Sequence, residues 1–236
     1  MHTTIWNHYG CSFLLITLLA IPSYTFAKCA EPSTMPHFIS SIQVLPPSTI
    51  QLIRQKNCLV PLHELVEINV SYWGFDHKAH QGILIVNNEL AAGLVTIFHS
   101  LYLHKFPIQR MDSMEQFNWD DDLAMAANNT STFNCREVKG QPGIFSQHSY
   151  GRAIDINPLM NPYVNGEDVW PITGKEFADR TQLVPGKITK NSLVYKAFIK
   201  QGWDWGGDWL DVQDYQHFEK RAHGEKRNIH GYPKHN

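Results

Sequence analysis

The sequence predicts a chain of mixed strands and helices, and three stretches predict it. Over residues 66–72 the apolar Val66, Ile68, Val70 and Tyr72 alternate with the polar Glu67, Asn69 and Ser71, the period of a half-buried strand. Residues 82–86, Gly-Ile-Leu-Ile-Val, read as a short, fully apolar strand. Leu90, Leu94, Ile97, Phe98, Leu101 and Tyr102 then recur at helical spacing. At 236 residues, 43% of them hydrophobic, the chain is long enough for one sizeable core, and it shows no internal repeat and no second domain.

Taken in order, the chain begins with an apolar run over residues 13–21, then helix-breaking Pro22 and the small-x-small site Thr25-Phe26-Ala27. Residues 1–27 therefore read as an export signal, although the first ten residues carry no Lys or Arg. The run is shorter than the ~20 apolar residues of a bilayer span, so no lasting membrane insertion is expected. Removing the signal takes Cys11 away and leaves Cys29, Cys58 and Cys135, enough for at most one disulfide whose partners the count does not name. With no CxxC, a cysteine zinc site is not expected. Residues 28–60 are rich in Pro and read as an extended lead-in, 61–221 as the functional domain, and 222–236 as a polar, frayed tail.

Within the domain, Asn87 and Asn88 are suited to cap the helix that follows, whose His99 and His104 read as surface or packing residues. Asp120 to Asp122 suit the start of a short helix through Leu123 and Met125. Asn128-Asn129-Thr130-Ser131 contains glycosylation sequons but equally suits a helix end and turn. A loop with Pro158, Asn161-Pro162, Gly166 and Pro171 leads to a helix capped by Asn191, carrying Leu193, Val194, Ala197 and Phe198, and ended by Gly202. A net charge of -2 and the lack of a basic run argue against nucleic acid or a membrane surface as partner. Seven Trp and nine Tyr, several of them late in the chain, suit either a peptide or carbohydrate cleft or simple core packing.

The chemistry concentrates in residues 146–157. His148 and Asp155 stand seven positions apart, with Gly151 free to bend the backbone between them. Beyond the bend Ala153, Asp155 and Asn157 fall on one face of a strand and Ile154 and Ile156 on the other. His nitrogen and Asp oxygen are zinc donors, and a catalytic zinc takes three protein ligands. His217 supplies the third, and Asp214, three positions earlier, is placed to act as general base on a metal-activated water. Asp211 and Glu219 are the nearest competitors for that role; Glu219 reads as a salt-bridge partner.

Ser-x-His-x-x-Gly-x-Ala-x-Asp followed by Asp-x-x-His-Phe resembles the zinc D-Ala-D-Ala carboxypeptidase family, which includes the VanX and VanY enzymes and the L-Ala-D-Glu endopeptidases of phage lysins. The likeness extends upstream through Phe133-Asn134-Cys135-Arg136 and downstream through Trp205-Gly206-Gly207-Asp208-Trp209, covering about residues 65 to 220. It implies an α+β fold of the hedgehog/DD-peptidase kind, with an antiparallel sheet carrying the zinc ligands and helices packed on one side. It implies Zn2+ on His148, Asp155 and His217, Asp214 as base, and Arg136 as the arginine that binds substrate or steadies the developing oxyanion. The implied substrate is a peptidoglycan stem peptide. Two departures stand out. Carboxypeptidase members usually carry Glu where Asp214 stands, the endopeptidase branch Asp, and Tyr215-Gln216 replaces the Pro-Met often found there. The competing readings are an ion pair for Arg136 and, for the whole chain, a zinc module that binds without turnover. Asp214 separates the hydrolase from such a module, whether it binds the cell wall or a protein partner, because a binding module has no use for a carboxylate at that spacing.

Overall fold

The computed structural model describes residues 35–56 and 58–232, so the export signal read over 1–27, with Cys11 and Cys29, lies outside the described residues. Strands β1 (Ser40–Val44), β2 (Leu65–Gly74) and β3 (Ala79–Asn87) form an antiparallel sheet in the order β1-β2-β3. The β2–β3 register runs from Leu65 opposite Asn87 to Trp73 opposite Ala79. Helix α1 (Pro47–Arg54) precedes β2, and α2 (Asn88–Leu103) follows β3, its Asn87 cap accepting a hydrogen bond from the Glu89 amide. Strand β4 (Pro107–Ile108) adds a short parallel pairing to the end of β2.

The alternation in β2 and β3 decides what lies on each face. Ile68, Val70, Leu84 and Val86 meet Leu94, Ile97, Phe98 and Leu101 of α2 in the main core. Leu65 and Ile85 face the other way, joining Leu45, Ile53 of α1 and Phe133 in a smaller cluster. The residues read as an extended lead-in are therefore, from Ser40 on, an edge strand and a helix packed into the fold. Cys58 is bonded to Cys135, tying this segment to the stretch before Arg136.

Beyond α3 (Asp121–Ala126) come β5 (Ala153–Asp155), β6 (Tyr163–Asn165), β7 (Asp168–Trp170), α4 (Leu193–Lys200), β8 (Asp204–Trp205), β9 (Gln213–Asp214) and β10 (His217–Glu219). They make two further antiparallel three-stranded sheets, ordered β5-β10-β8 and β7-β6-β9. Ile154 and Phe218 anchor the first of these in the main core, where Phe218 stacks on Phe198 of α4 with ring centroids 4.2 Å apart. The architecture is mixed α and β with antiparallel sheets, but it departs from one sheet bearing the ligands and helices on one side. The helix-backed sheet holds none of the expected ligands, and α1 and α2 pack on opposite faces of it. The strands that carry Asp155 and His217 are three residues each and form a sheet of their own.

Residues 129–134 stitch the two regions together. The Phe133 amide donates to the Ile85 carbonyl at 3.2 Å, the Ile85 amide to Thr132 Oγ1 at 3.1 Å, and Ser131 and Asp155 exchange both backbone hydrogen bonds. Asn128 and Asn129 are buried and bonded to Leu159 and Asp112, so the sequons offer no accessible acceptor. Helix α4 is capped by Ser192, one residue beyond the expected Asn191, and Gly202 at φ +79° follows its end. The tail is held at one point among its described residues: Arg227 is buried, pairs through both terminal nitrogens with Asp211, and its guanidinium carbon lies 3.9 Å from the centre of the Trp209 ring.

Candidate metal centre

Alternation in two short strands builds most of the site. Phe218 turns into the core, so His217 and Glu219 turn to the opposite face of β10. Ile154 does the same on β5, freeing Ala153 and Asp155. The register sets His217 directly against Asp155 and Glu219 against Ala153. His148 arrives on a 3₁₀ turn, Gln147–Tyr150, and its own amide donates to the capping Ser146 Oγ. Gly151 closes that turn in the left-handed region at φ +65°, and a Cβ there would stand 2.6 Å from the Asn87 amide nitrogen. No other residue type fits that bend.

The ring nitrogens sort themselves by their partners. The Thr132 carbonyl can only accept, so His148 Nδ1 donates to it and Nε2 is left bearing its lone pair. His217 Nε2 faces Glu219 Oε2 at 3.2 Å, which leaves Nδ1 for the site. His217 Nδ1 lies 2.9 Å from Asp155 Oδ1 and 3.2 Å from His148 Nε2, and His148 Nε2 is 3.2 Å from Asp155 Oδ2. Ligands about 2.0–2.2 Å from a tetrahedral ion lie about 3.3–3.6 Å from one another; this buried trio, at 2.9–3.2 Å, is a few tenths of an ångström tighter and gathers three metal-donor atoms at one point that could hold an ion.

The electrostatics favour positive charge at the same point. Burial opposes ionisation of Asp155, yet His148 and His217 hold its carboxyl well below the usual range. Burial likewise opposes charging of His217, but the Asp155 and Glu219 carboxylates outweigh it and raise its pKa to about 10. Glu219 is buried, which raises its pKa, but His217 and Arg221 bring it down to about 2; Arg221 Nε donates to its second oxygen at 2.6 Å.

Asp214 ends β9, and the two-residue turn Tyr215-Gln216 separates it from His217. Burial, aided by the Asp155 charge and partly offset by His217, raises its pKa to about 6. Its Oδ1 is shut from solvent and has no hydrogen-bond partner among the described residues. Gly206 makes room for it, because a Cβ there would stand 2.8 Å from Asp214 Cβ. This is a carboxylate poised to exchange protons near neutrality.

The structure thus brings His148, Asp155 and His217 together, with Asp214 beside them. Arg136 is engaged elsewhere: Nη2 pairs with Asp121 Oδ2 at 2.9 Å, although its Nε is buried without a partner. Asp211 is tied to Arg227. Trp205 packs in the core, whereas Trp209 lies against His217 with centroids 5.3 Å apart. The role of Glu219 beside His217 goes beyond a salt bridge. Its i+2 spacing on a strand could have revealed that; the Thr132 carbonyl left no such signal.

Residues 139–220 match the family described as D-alanyl-D-alanine carboxypeptidase, and they contain all three converging side chains and Asp214. That match supports a peptidase of the VanY-like kind, the family that the motifs resemble. No curated protein and no solved structure matched the chain.

Proposed function

We propose that the chain is a zinc peptidase of the hedgehog/DD-peptidase type that hydrolyses a peptide bond in peptidoglycan stem peptides, acting after export. The observation that carries this reading is Asp214: a half-buried carboxylate whose Oδ1 is closed off from solvent without a hydrogen-bond partner among the described residues, beside three converging metal-donor side chains. His148 Nε2, Asp155 and His217 Nδ1 would hold the metal, each His fixed by the hydrogen bond at its other nitrogen. Zinc, when bound, supplies Lewis-acid polarisation of a carbonyl and makes water a nucleophile near neutral pH. Asp214 accepts the proton of the attacking water and delivers it to the leaving amine, a task suited to a pKa near 6. For Arg136 to meet a substrate oxygen it would have to turn from Asp121, which holds its Nη2 at 2.9 Å, and uncover its buried, unpartnered Nε.

The matched family's description favours the D-Ala-D-Ala bond; the Asp base favours L-Ala-D-Glu by resemblance. An intact pentapeptide muropeptide separates them. Loss of one alanine identifies the carboxypeptidase, and release of the peptide beyond L-Ala identifies the endopeptidase. Zinc-loaded protein that yields neither product would leave a binding module in its place. The Cys58–Cys135 bridge fits the oxidising compartment that export implies. Among the described residues no helix is long and apolar enough to cross a membrane.

A further inference from the structure

The sheet β7-β6-β9 contributes more to the site than Asp214. In its central strand, Tyr163 lies directly opposite Trp170 on one side and Asp214 on the other. Directly opposed residues of an antiparallel pair present their side chains to the same face, with Cβ atoms about 4.5–5.5 Å apart. Trp170, Tyr163 and Asp214 therefore form a row across the sheet. The Tyr163 and Trp170 rings pack with centroids 6.0 Å apart, and the Lys139 ammonium covers Trp170 at 4.9 Å. At the other end, the row reaches the carboxylate that senses His217 and Asp155.

The ring of Tyr163 is thus held by packing, while its hydroxyl makes no hydrogen bond to any described residue. Burial, with Asp214 and Asp211 nearby, pushes its pKa up to about 12, so the hydroxyl keeps its hydrogen at any working pH. A half-buried phenol fixed at the ring and free at the oxygen is a preorganised donor waiting for an acceptor. A carbonyl attacked by a water that Asp214 deprotonates must sit within a few ångströms of that carboxylate, and Tyr163 is its cross-strand neighbour.

We propose that Tyr163 is a catalytic residue that donates its phenol hydrogen to the carbonyl oxygen of the scissile peptide, where negative charge develops; this rests on the peptidase reading above. The bland alternative is that the ring merely fills space beside Trp170, in which case phenylalanine would serve as well.

The test is Tyr163→Phe in the zinc-loaded protein, with kcat and KM measured on the muropeptide that the unaltered protein cleaves. Zinc content and melting temperature are followed in parallel. Losing one such donor lowers kcat by about 10²-fold with little change in KM, while zinc content and melting temperature stay unchanged. Unchanged kcat and KM overturn the proposal, as does a rise in KM alone, which assigns the hydroxyl to ground-state binding. A variant that loses zinc or stability also counts against it, because the hydroxyl makes no hydrogen bond to any described residue that its removal would break. Unaltered protein that holds zinc but cleaves no stem peptide refutes the peptidase reading itself, and the role of Tyr163 with it.

Discussion

Glu219→Gln tests whether the site depends on a residue that never touches the metal. Glu219 accepts from two donors, His217 Nε2 at 3.2 Å and Arg221 Nε at 2.6 Å. Glutamine offers one oxygen and one NH2, so one of those donors must face another donor. If the oxygen stays with Arg221, the NH2 meets His217 Nε2, and the ring is driven to carry its hydrogen on Nδ1. That is the atom aimed at Asp155 and the cation. If the oxygen stays with His217, the half-buried Arg221 guanidinium loses this acceptor, and in either case the negative charge behind the imidazole is gone. Loss of such an outer partner costs about 10–100-fold in metal affinity, which is about 1.4–2.8 kcal/mol. Competition against a chromophoric chelator measures the zinc Kd directly, and the melting temperature of metal-free protein reports on the fold separately. A Kd equal to that of unaltered protein would refute the claim that Glu219 orients His217.

Asp214→Asn should keep zinc and fold while lowering turnover by about 10²–10⁴-fold, as read from kcat on the muropeptide. Because the base works ionised and its pKa is raised to about 6, kcat/KM should fall as pH drops through that region, and bound zinc can only move the limb lower. Gly151→Ala forces a Cβ into the left-handed region and against the Asn87 amide at 2.6 Å. A loss of roughly 2–4 kcal/mol in denaturant unfolding, with weakened zinc binding, is expected. Replacing Cys58 and Cys135 by serine opens a bridge spanning 77 residues and should cost about 2–4 kcal/mol of stability by the same measurement.

Much of this was legible in the sequence because long elements and ligating side chains announce themselves. The period of residues 66–72 and the helical spacing after Leu90 became β2 and α2, with Asn87 as the cap. His148, Asp155 and His217 stood out because few side chains bind metals and their spacing is ordered. What could not be read was set by pairing between distant segments. Strand β1 has every residue exposed and no apolar period to mark it; it exists because Ile42 and its neighbours find β2. Strand β10 is too short for a period, and only its register with β5 shows that Glu219 shares a face with His217. Tyr163 lies in the stretch read as a loop between Pro158 and Pro171, and only the pairing of β6 with β9 sets it beside Asp214. The tail seemed frayed by composition, yet one Arg227 paired with Asp211 and set on Trp209 holds it. The 28–60 lead-in misled for the same reason, since prolines at 46 and 47 introduce a helix rather than exclude one.

The wide separation of the converging residues has a consequence for the order in which the molecule matures. Asp155 and His217 lie 62 positions apart, and everything between them, including two hairpin strands and α4, is one excursion that must fold back before β10 can dock on β5. Closing so long a loop is an entropic toll that local contacts do not offset. On this topology a cation bound as proposed would act as a late clasp: an emerging chain can offer it at most two of the three donors until its last strand arrives. Metal capture would therefore report completion of folding, and a chain stalled before residue 217 should be unable to retain the ion.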